Sequence, residues 1–278
     1  MNHRDKKKFD DAADILRTVI GKTQNRRTAA IIVAAGSSER MGGTTPKQFL
    51  PLCGMPVVAM TIRAYEDADC INDIIIVIRP GDEHYYDEYR EKFGFTKIRA
   101  LVHGGATRQE SVMNGIQAAD DGVAFFAIAD AARPLTTPDI IRSVCLAAYK
   151  YSAATAATPA VDSIKTADER GFISATVERS TVWQGGMVQE DVDRDSVVAV
   201  QTPQVFGANL YRAAAYTARD EGFAASDDNS LVEHIGYKVR LVDCGRENIK
   251  ITTECDIPIA EAIINFRRAN KAEAGTGA

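Results

Sequence analysis

Short unbroken apolar runs alternate with amphipathic stretches through the first half of the chain. Residues 29–33 (AAIIV), 73–78 (DIIIVI) and 123–129 (VAFFAIA) are runs of the first kind, and they read as strands covered on both faces; residues 98–102 (IRALV), interrupted by Arg99, read as a further strand. Between and after them, residues 56–66, 82–93, 107–119 and 138–149 suit helices. Thr107, with Glu110 three residues later, has the form of a capping box. Pro138 stands in the first turn of its helix, where a missing N–H costs nothing. Strands and helices in this alternation predict an α/β fold, a mostly parallel sheet with helices on both faces. Glycine-rich or polar segments follow Val33, Val102 and Ala129. In such sheets ligands bind beyond the carboxyl ends of the strands, so these three loops are expected to face one cleft.

The pattern changes after Val161. Residues 161–200 are polar and charged without helical periodicity, which predicts a projecting β-rich arm; within it, residues 185–196 (GGMVQEDVDRDS) read as an exposed loop. A helical pattern resumes after Gln204, with a late strand expected at 238–242 and a final helix at 257–268. No internal repeat is visible. The organisation expected is an N-terminal extension (1–27), one main domain (28–270) carrying the arm, and a short tail (271–278). The extension admits either a short helix around Ile15, Leu16, Val19 and Ile20 or a poorly ordered segment.

Composition narrows the class of function. With 278 residues, 45% hydrophobic and 26% charged, the chain can bury a core without staples. A net charge of −5 lacks the basic surplus of a nucleic-acid binder, although a binder of anionic metabolites needs only a local basic pocket. Cys53, Cys70, Cys145, Cys244 and Cys255 show no C-x-x-C spacing, and the histidines form no ligand pattern. That speaks against a disulfide framework or a zinc knuckle and for a reducing compartment, the cytoplasm. No secretory signal and no apolar run of membrane-spanning length is present.

Four segments carry candidate chemistry. Ala34-Ala35-Gly36-Ser37-Ser38-Glu39-Arg40-Met41-Gly42 follows the first strand, with Pro46-Lys47-Gln48 behind it. Gly36 and the serines allow close backbone approach, successive N–H groups can cup phosphate oxygens, and Arg40 and Lys47 add positive charge. The spacing matches neither the dinucleotide fingerprint nor the ATPase P-loop, and a glycine turn with two solvated cations is the bland reading. Gly104-Gly105-Ala106-Thr107-Arg108-Gln109-Glu110-Ser111 is a second glycine turn, opening a helix whose N-terminus suits an anion; Ser111, one turn in, can donate to a base or ribose. Its bland reading is an ordinary strand–turn–helix link. Asp130 ends an apolar strand at the mouth of the expected cleft, where a carboxylate suits Mg²⁺, or else pairs structurally with Arg133. Lys250, in Asn248-Ile249-Lys250-Ile251-Thr252, is by itself no more than a polar break, as are Asp162-Ser163 and Thr176-Val177-Glu178-Arg179.

Together these motifs resemble the bacterial 2-C-methyl-D-erythritol 4-phosphate cytidylyltransferases of the non-mevalonate isoprenoid pathway. AAGSSERMG, PKQF, GGATRQESV, DAARP, DSIK, TVERSTVW, QTPQVF and NIKITT occur in family order from about residue 29 to about residue 270. The resemblance implies a Rossmann-like sheet of the nucleotidyltransferase type. It implies transfer of CMP from CTP to methylerythritol phosphate, with release of pyrophosphate and with Mg²⁺ as cofactor. Ala34, Ala35 and Gly36 would bind CTP, and Gly105, Ala106 and Ser111 would contact cytosine. Asp130 would sit near the metal and nucleotide. Arg40 and Lys47 would stabilise charge during in-line attack. Ser163, Arg179 and Lys250 would hold the acceptor, Arg179 reaching the neighbouring subunit of a homodimer through the arm. Some relatives fuse this region to the next pathway enzyme; here the cytidylyltransferase region is expected alone.

The chain also departs from the family pattern. Ala129 stands where His often precedes the aspartate, Ala106 where many members have Asp, and Ser163 where Thr is common. The largest departure is an acidic insertion between Trp183 and Gln201, close to the acceptor motifs. The rival reading is ribitol-5-phosphate cytidylyltransferase, whose acceptor has similar length and one phosphate; TVERSTVW favours methylerythritol phosphate.

Overall fold

In the computed structural model the described residues are 26–36, 46–162, 165–167, 173–176, 179–184, 187–193 and 197–275, those between 163 and 196 by backbone course alone. The elements run in the order β1 (Thr28–Val33), a 3-10 turn at Lys47–Phe49, β2 (Pro51–Leu52), β3 (Met55–Pro56), α1 (Val57–Asp67), β4 (Asp73–Ile78), α2 (Glu83–Phe93), β5 (Ile98–His103), α3 (Arg108–Gln117), β6 (Phe125–Asp130), α4 (Pro138–Tyr151) and β7 (Ala153–Pro159). There follow β8 (Lys165–Ala167), β9 (Ile173–Thr176), β10 (Arg179–Gln184), β11 (Met187–Asp193), β12 (Val198–Gly207), α5 (Ala208–Asp220), α6 (Asp228–His234), β13 (Arg240–Asp243) and α7 (Asp256–Gly275).

Seven strands form one sheet in the order β13-β7-β12-β6-β1-β4-β5. Every pairing is parallel except those of β12, which runs antiparallel to both β6 and β7. The central strands alternate their burial between two layers, as the pleat requires. Ala30 and Ile32 of β1 join Ile74, Ile76 and Ile78 of β4 in one cluster, packed on Val58 and Ile62 of α1 and on Ile141 and Val144 of α4. Ala29 and Ile31 face the other way with Ile75 and Val77, against Val112 of α3, Tyr211 of α5 and Leu231 of α6. Helices therefore cover both faces, which is why the central strands read as continuous apolar runs. A third cluster, with Leu52, Leu135, Ile251 and Ile264, seats α7 beside the loop after β6.

Three elements depart from the sequence reading. Residues 153–159 form β7, an inner strand that the alanine-rich run AATAATP does not announce. The strand β12 continues through QTPQVF to Gly207, where a helix was expected straight after Gln204. Its register shifts between Val200 and Gln204, so Pro203 falls outside the regular ladder, where its missing N–H is harmless. Strands β8–β9 and β10–β11 pair as two separate two-stranded antiparallel sheets. Met187–Asp193 is thus strand, correcting the expected loop at 185–196. Most of the extension, residues 1–25, and the end of the tail lie outside the described residues.

Candidate active site

The order of the strands creates the site. From β1 the chain builds outward through β4 and β5, then returns to place β6 on the other flank of β1. That reversal is the switch point at which α/β sheets open a crevice. Val33 and Asp130 are register partners at the carboxyl ends of these two strands. A cavity of about 410 Å³ lies there, within the size range of small-molecule sites. Ala34, Ala35 and Gly36 line it together with Lys47, Gly105, Ala106, Ser111, Asp130 and Lys250.

The loops are fixed by hydrogen bonds that extend the sheet. The Ala34 N–H donates to the Val77 carbonyl at 2.7 Å, the Gly104 N–H to that of Ile78 at 2.9 Å, and the Ala131 N–H to that of Val33 at 3.1 Å. The Gln48 amide donates to the Ala34 carbonyl at 3.2 Å, tying the segment behind the first loop to its base. On the second loop Thr107 caps α3, and the capping box is complete: its hydroxyl accepts from the Glu110 N–H, and Glu110 reaches back to the Thr107 N–H. The same carboxylate accepts from the Ala106 N–H at 2.7 Å. Ser111 accepts from the Gly105 N–H at 3.1 Å and donates to the Thr107 carbonyl at 2.9 Å. Gly104 must lack a side chain, because a Cβ there would sit 2.5 Å from the Ala35 Cβ and 3.0 Å from the Ser111 hydroxyl.

The charges converge on Asp130. Lys250 Nζ stands 2.8 Å from its Oδ2, Arg133 Nε 3.6 Å from the same oxygen, and Arg108 Nη2 3.8 Å from Oδ1. Burial works against ionisation of Asp130, but Lys250, Arg108 and Arg133 outweigh it and hold the carboxyl below its ordinary value. Burial draws the Arg133 guanidinium below its ordinary value. Arg133 also donates to the Asn248 carbonyl at 2.7 Å. Asn248 is fully buried; its amide donates to the Gln201 side chain and to the Thr202 carbonyl, each at 2.9 Å, and it accepts from Thr136 at 2.6 Å. The Ile251 N–H donates to the Ala132 carbonyl at 2.8 Å. Asn248 and Ile251 therefore pin both sides of Lys250, and the loop delivers its ammonium to Asp130 from more than a hundred residues away in sequence.

A crevice at a switch point, lined by a glycine loop, a capped helix start, one carboxylate and several cations, is built for a phosphorylated nucleotide. The comparisons with known proteins then decide the family. Residues 28–266 match the model of the family described as 2-C-methyl-D-erythritol 4-phosphate cytidylyltransferase. The chain belongs to that family. A relative of this description from Pelotomaculum thermopropionicum is 40% identical over 250 residues, covering 90% of this chain and 99% of that protein. Another, from Caldanaerobacter subterraneus, is 41% identical over 237 residues, covering 85% and 98%. Among solved structures, the 4-diphosphocytidyl-2C-methyl-D-erythritol synthase of Anaerococcus prevotii superposes with a TM-score of 0.71 at 28% identity, over 86% of this chain and 96% of the other. As a family member the chain is an enzyme, a nucleotidyltransferase of isoprenoid precursor synthesis. These descriptions give no support to the ribitol-5-phosphate alternative.

For this cytidylyltransferase the structure gathers most of the residues singled out in the sequence. Ala34, Ala35, Gly36, Lys47, Gly105, Ala106, Ser111, Asp130 and Lys250 share the one cavity. Arg40 and Ser163 lie outside the described residues. Arg179 begins β10, and its side chain lies outside the description. Asp130 is engaged by Arg133 and by Lys250 together, so the structural pairing and the site position coexist. Two residues of the site carry no signal of their own in the sequence: Arg108, inside GGATRQESV, and Asp228. Arg108 lines the cavity, and its Nη1 stands 2.6 Å from Oδ2 of Asp228. Asp228 lies in the polar run Ser226-Asp227-Asp228-Asn229-Ser230, which reads as surface and carries no signal of burial.

Proposed function

We propose that this chain transfers CMP from CTP to 2-C-methyl-D-erythritol 4-phosphate, forming 4-diphosphocytidyl-2-C-methyl-D-erythritol and pyrophosphate, in the cytoplasm, where its unpaired thiols stay reduced. The observation that carries this reading is the convergence of the glycine loop, Lys47, the capped start of α3, Asp130 and Lys250 on one cavity at the switch point. An oxygen of the acceptor phosphate attacks the α-phosphorus of CTP in line, the bond from that phosphorus to the bridging oxygen breaks, and pyrophosphate departs with the electron pair. No covalent nucleophile is needed; the protein screens two anions and holds them in line. In this reading the N–H groups of Ala35 and Gly36 and the charges of Arg40 and Lys47 take up the phosphates. Gly105, Ala106 and Ser111 hold cytosine, and Lys250 with Ser163 and Arg179 orients the acceptor phosphate. The arm would carry Arg179 into the site of a second copy, making the working unit a homodimer.

The donor set bears on the metal. Among the described residues no group of three or more His, Cys, Asp or Glu side chains is placed to hold an ion. Among the described residues the cavity lining includes a single carboxylate, that of Asp130. One carboxylate fits Mg²⁺ that arrives with the triphosphate and keeps most of its water and phosphate ligands, and does not fit a protein-built cage. Bound in that way, Mg²⁺ would neutralise phosphate charge and polarise the α-phosphoryl group. The test is pyrophosphate release by purified protein with CTP and Mg²⁺, comparing methylerythritol phosphate with ribitol 5-phosphate. Release with the first alone is expected; release with ribitol 5-phosphate instead would move the enzyme to polyol-phosphate metabolism.

A further inference from the structure

Arg108 occupies an electrostatically costly place. It is the first residue of α3, where the helix dipole presents partial positive charge and a cation is disfavoured. It also lines a cavity that already holds Lys47 and Lys250. The compensation comes from α6. Asp228, whose side chain is 1% exposed, sets its Oδ2 2.6 Å from Arg108 Nη1. Its Oδ1 accepts from the Tyr211 hydroxyl at 2.6 Å, and its backbone N–H donates to the Gln204 side chain at 3.1 Å. Helix α5 thus holds the carboxylate of Asp228, and strand β12 holds its backbone. A buried ion pair is a poor source of stability, because desolvation consumes most of the attraction. Its geometry is informative. Arg108 stands 2.6 Å from Asp228 and 3.8 Å from Asp130, so the ion pair with Asp228 is the closer of its two. Without Asp228 the nearest carboxylate left to the guanidinium is Asp130, which Lys250 and Arg133 already engage.

We propose that Arg108 is a further nucleotide-binding residue, directed at the CTP phosphates, and that Asp228 is its positioning residue. The proposal rests on the cytidylyl-transfer reading of this cavity. A planar guanidinium held from behind by a buried anion recognises phosphate without the freedom to collapse onto a neighbour.

The experiment measures CTP affinity by calorimetry, without acceptor, and steady-state constants for both substrates, in the wild type and in Asp228→Asn, Arg108→Ala, the double variant and Tyr211→Phe. Asp228→Asn is expected to weaken CTP binding by about tenfold or more while the acceptor KM stays within about twofold. Arg108→Ala should do the same, and the double variant should be no worse than Arg108→Ala, the signature of two residues acting through one contact. Tyr211→Phe, which removes the other side-chain partner of Asp228, should weaken CTP binding by less than Asp228→Asn does, since the carboxylate and its ion pair with Arg108 remain. Unchanged CTP affinity in Asp228→Asn, or additive losses in the double variant, would overturn the proposal. If Asp228→Asn does not fold, Arg108→Ala and Arg108→Lys decide the matter: wild-type affinity in both overturns it, and loss in the first with partial retention in the second upholds it. A wild type that fails to bind CTP or to transfer CMP would instead overturn the functional reading beneath it.

Discussion

Lys47 and Gly104 act in different ways at the residue scale. Lys47 is a charge at the cavity wall, and replacing it with alanine should lower turnover by about a hundredfold or more, as loss of a transition-state cation does, with the fold retained. Pyrophosphate release under saturating CTP measures this, and near-normal turnover would remove Lys47 from the catalytic group. Gly104 carries no charge, but an alanine there would press on Ala35 and Ser111, one on each loop of the cavity. Gly104→Ala is expected to raise the KM for CTP about tenfold with a smaller effect on the acceptor, since both displaced groups belong to the nucleotide side. How legible such residues are depends on their surroundings. Lys47 and Gly104 sit in dense motifs beside a strand end, so their neighbours give them away. Lys250 reads alone as a solvated side chain, because its partner Asp130 is far away in sequence and only the fold joins them. Asp228 is still harder to read, since a fully polar run gives no hint that one member is buried against an arginine.

At the scale of elements, the loop carrying Lys250 is anchored to the start of α7. Asp256 Oδ2 accepts from the Thr252 N–H at 2.6 Å, the Thr253 N–H at 2.7 Å and the Thr252 hydroxyl at 2.8 Å. Burial works against the charge, but together these hydrogen bonds outweigh it and hold the carboxyl below its ordinary value. A depressed folded value means stability that is present above the unfolded value of about 3.9 and is lost as pH falls through the folded one. Asp256→Ala is therefore expected to cost about 1 kcal/mol near neutral pH, as loss of a cap does. The gap to wild type should narrow below about pH 4. Urea unfolding at pH 7 and pH 3.5 checks it; a gap constant across that range would mean that the carboxylate's charge is not what anchors the loop. Elements with strong period or strong caps, such as β4 and α3, are plain in the sequence. The strand β7 is not, because Ala153–Ala157 has a single β-branched side chain, Thr155, among alanines, and burial between β12 and β13 makes it a strand. The strand β12 is masked by Pro203, which ordinarily argues against an inner strand.

At the scale of the whole molecule, the strand order places the cavity, and in the proposed reading the acceptor residues Ser163 and Arg179 come from the segment between β7 and β12. Four short strands there pair in two sheets of their own, apart from the main sheet. The acidic insertion seen in the sequence includes β11, which pairs with β10, the strand that begins at Arg179. If the arm serves a second copy, each site takes Lys47 from one chain and Arg179 from the other, and this has a consequence that separate chains cannot mimic. Lys47→Ala and Arg179→Ala should each be nearly inactive as pure proteins. When they are mixed, unfolded and refolded together, half of the dimers should be mixed, and each mixed dimer carries one site with both residues intact. About a quarter of the sites, and so about a quarter of wild-type turnover, should return. A site built within one chain returns nothing, because every copy then carries a defect in its own cavity. Recovery near a quarter would also show that β11 leaves the crossing of the arm undisturbed. A dimer by size-exclusion chromatography that shows no recovery would instead confine Arg179 to its own subunit and leave the insertion free of any part in joining the two sites.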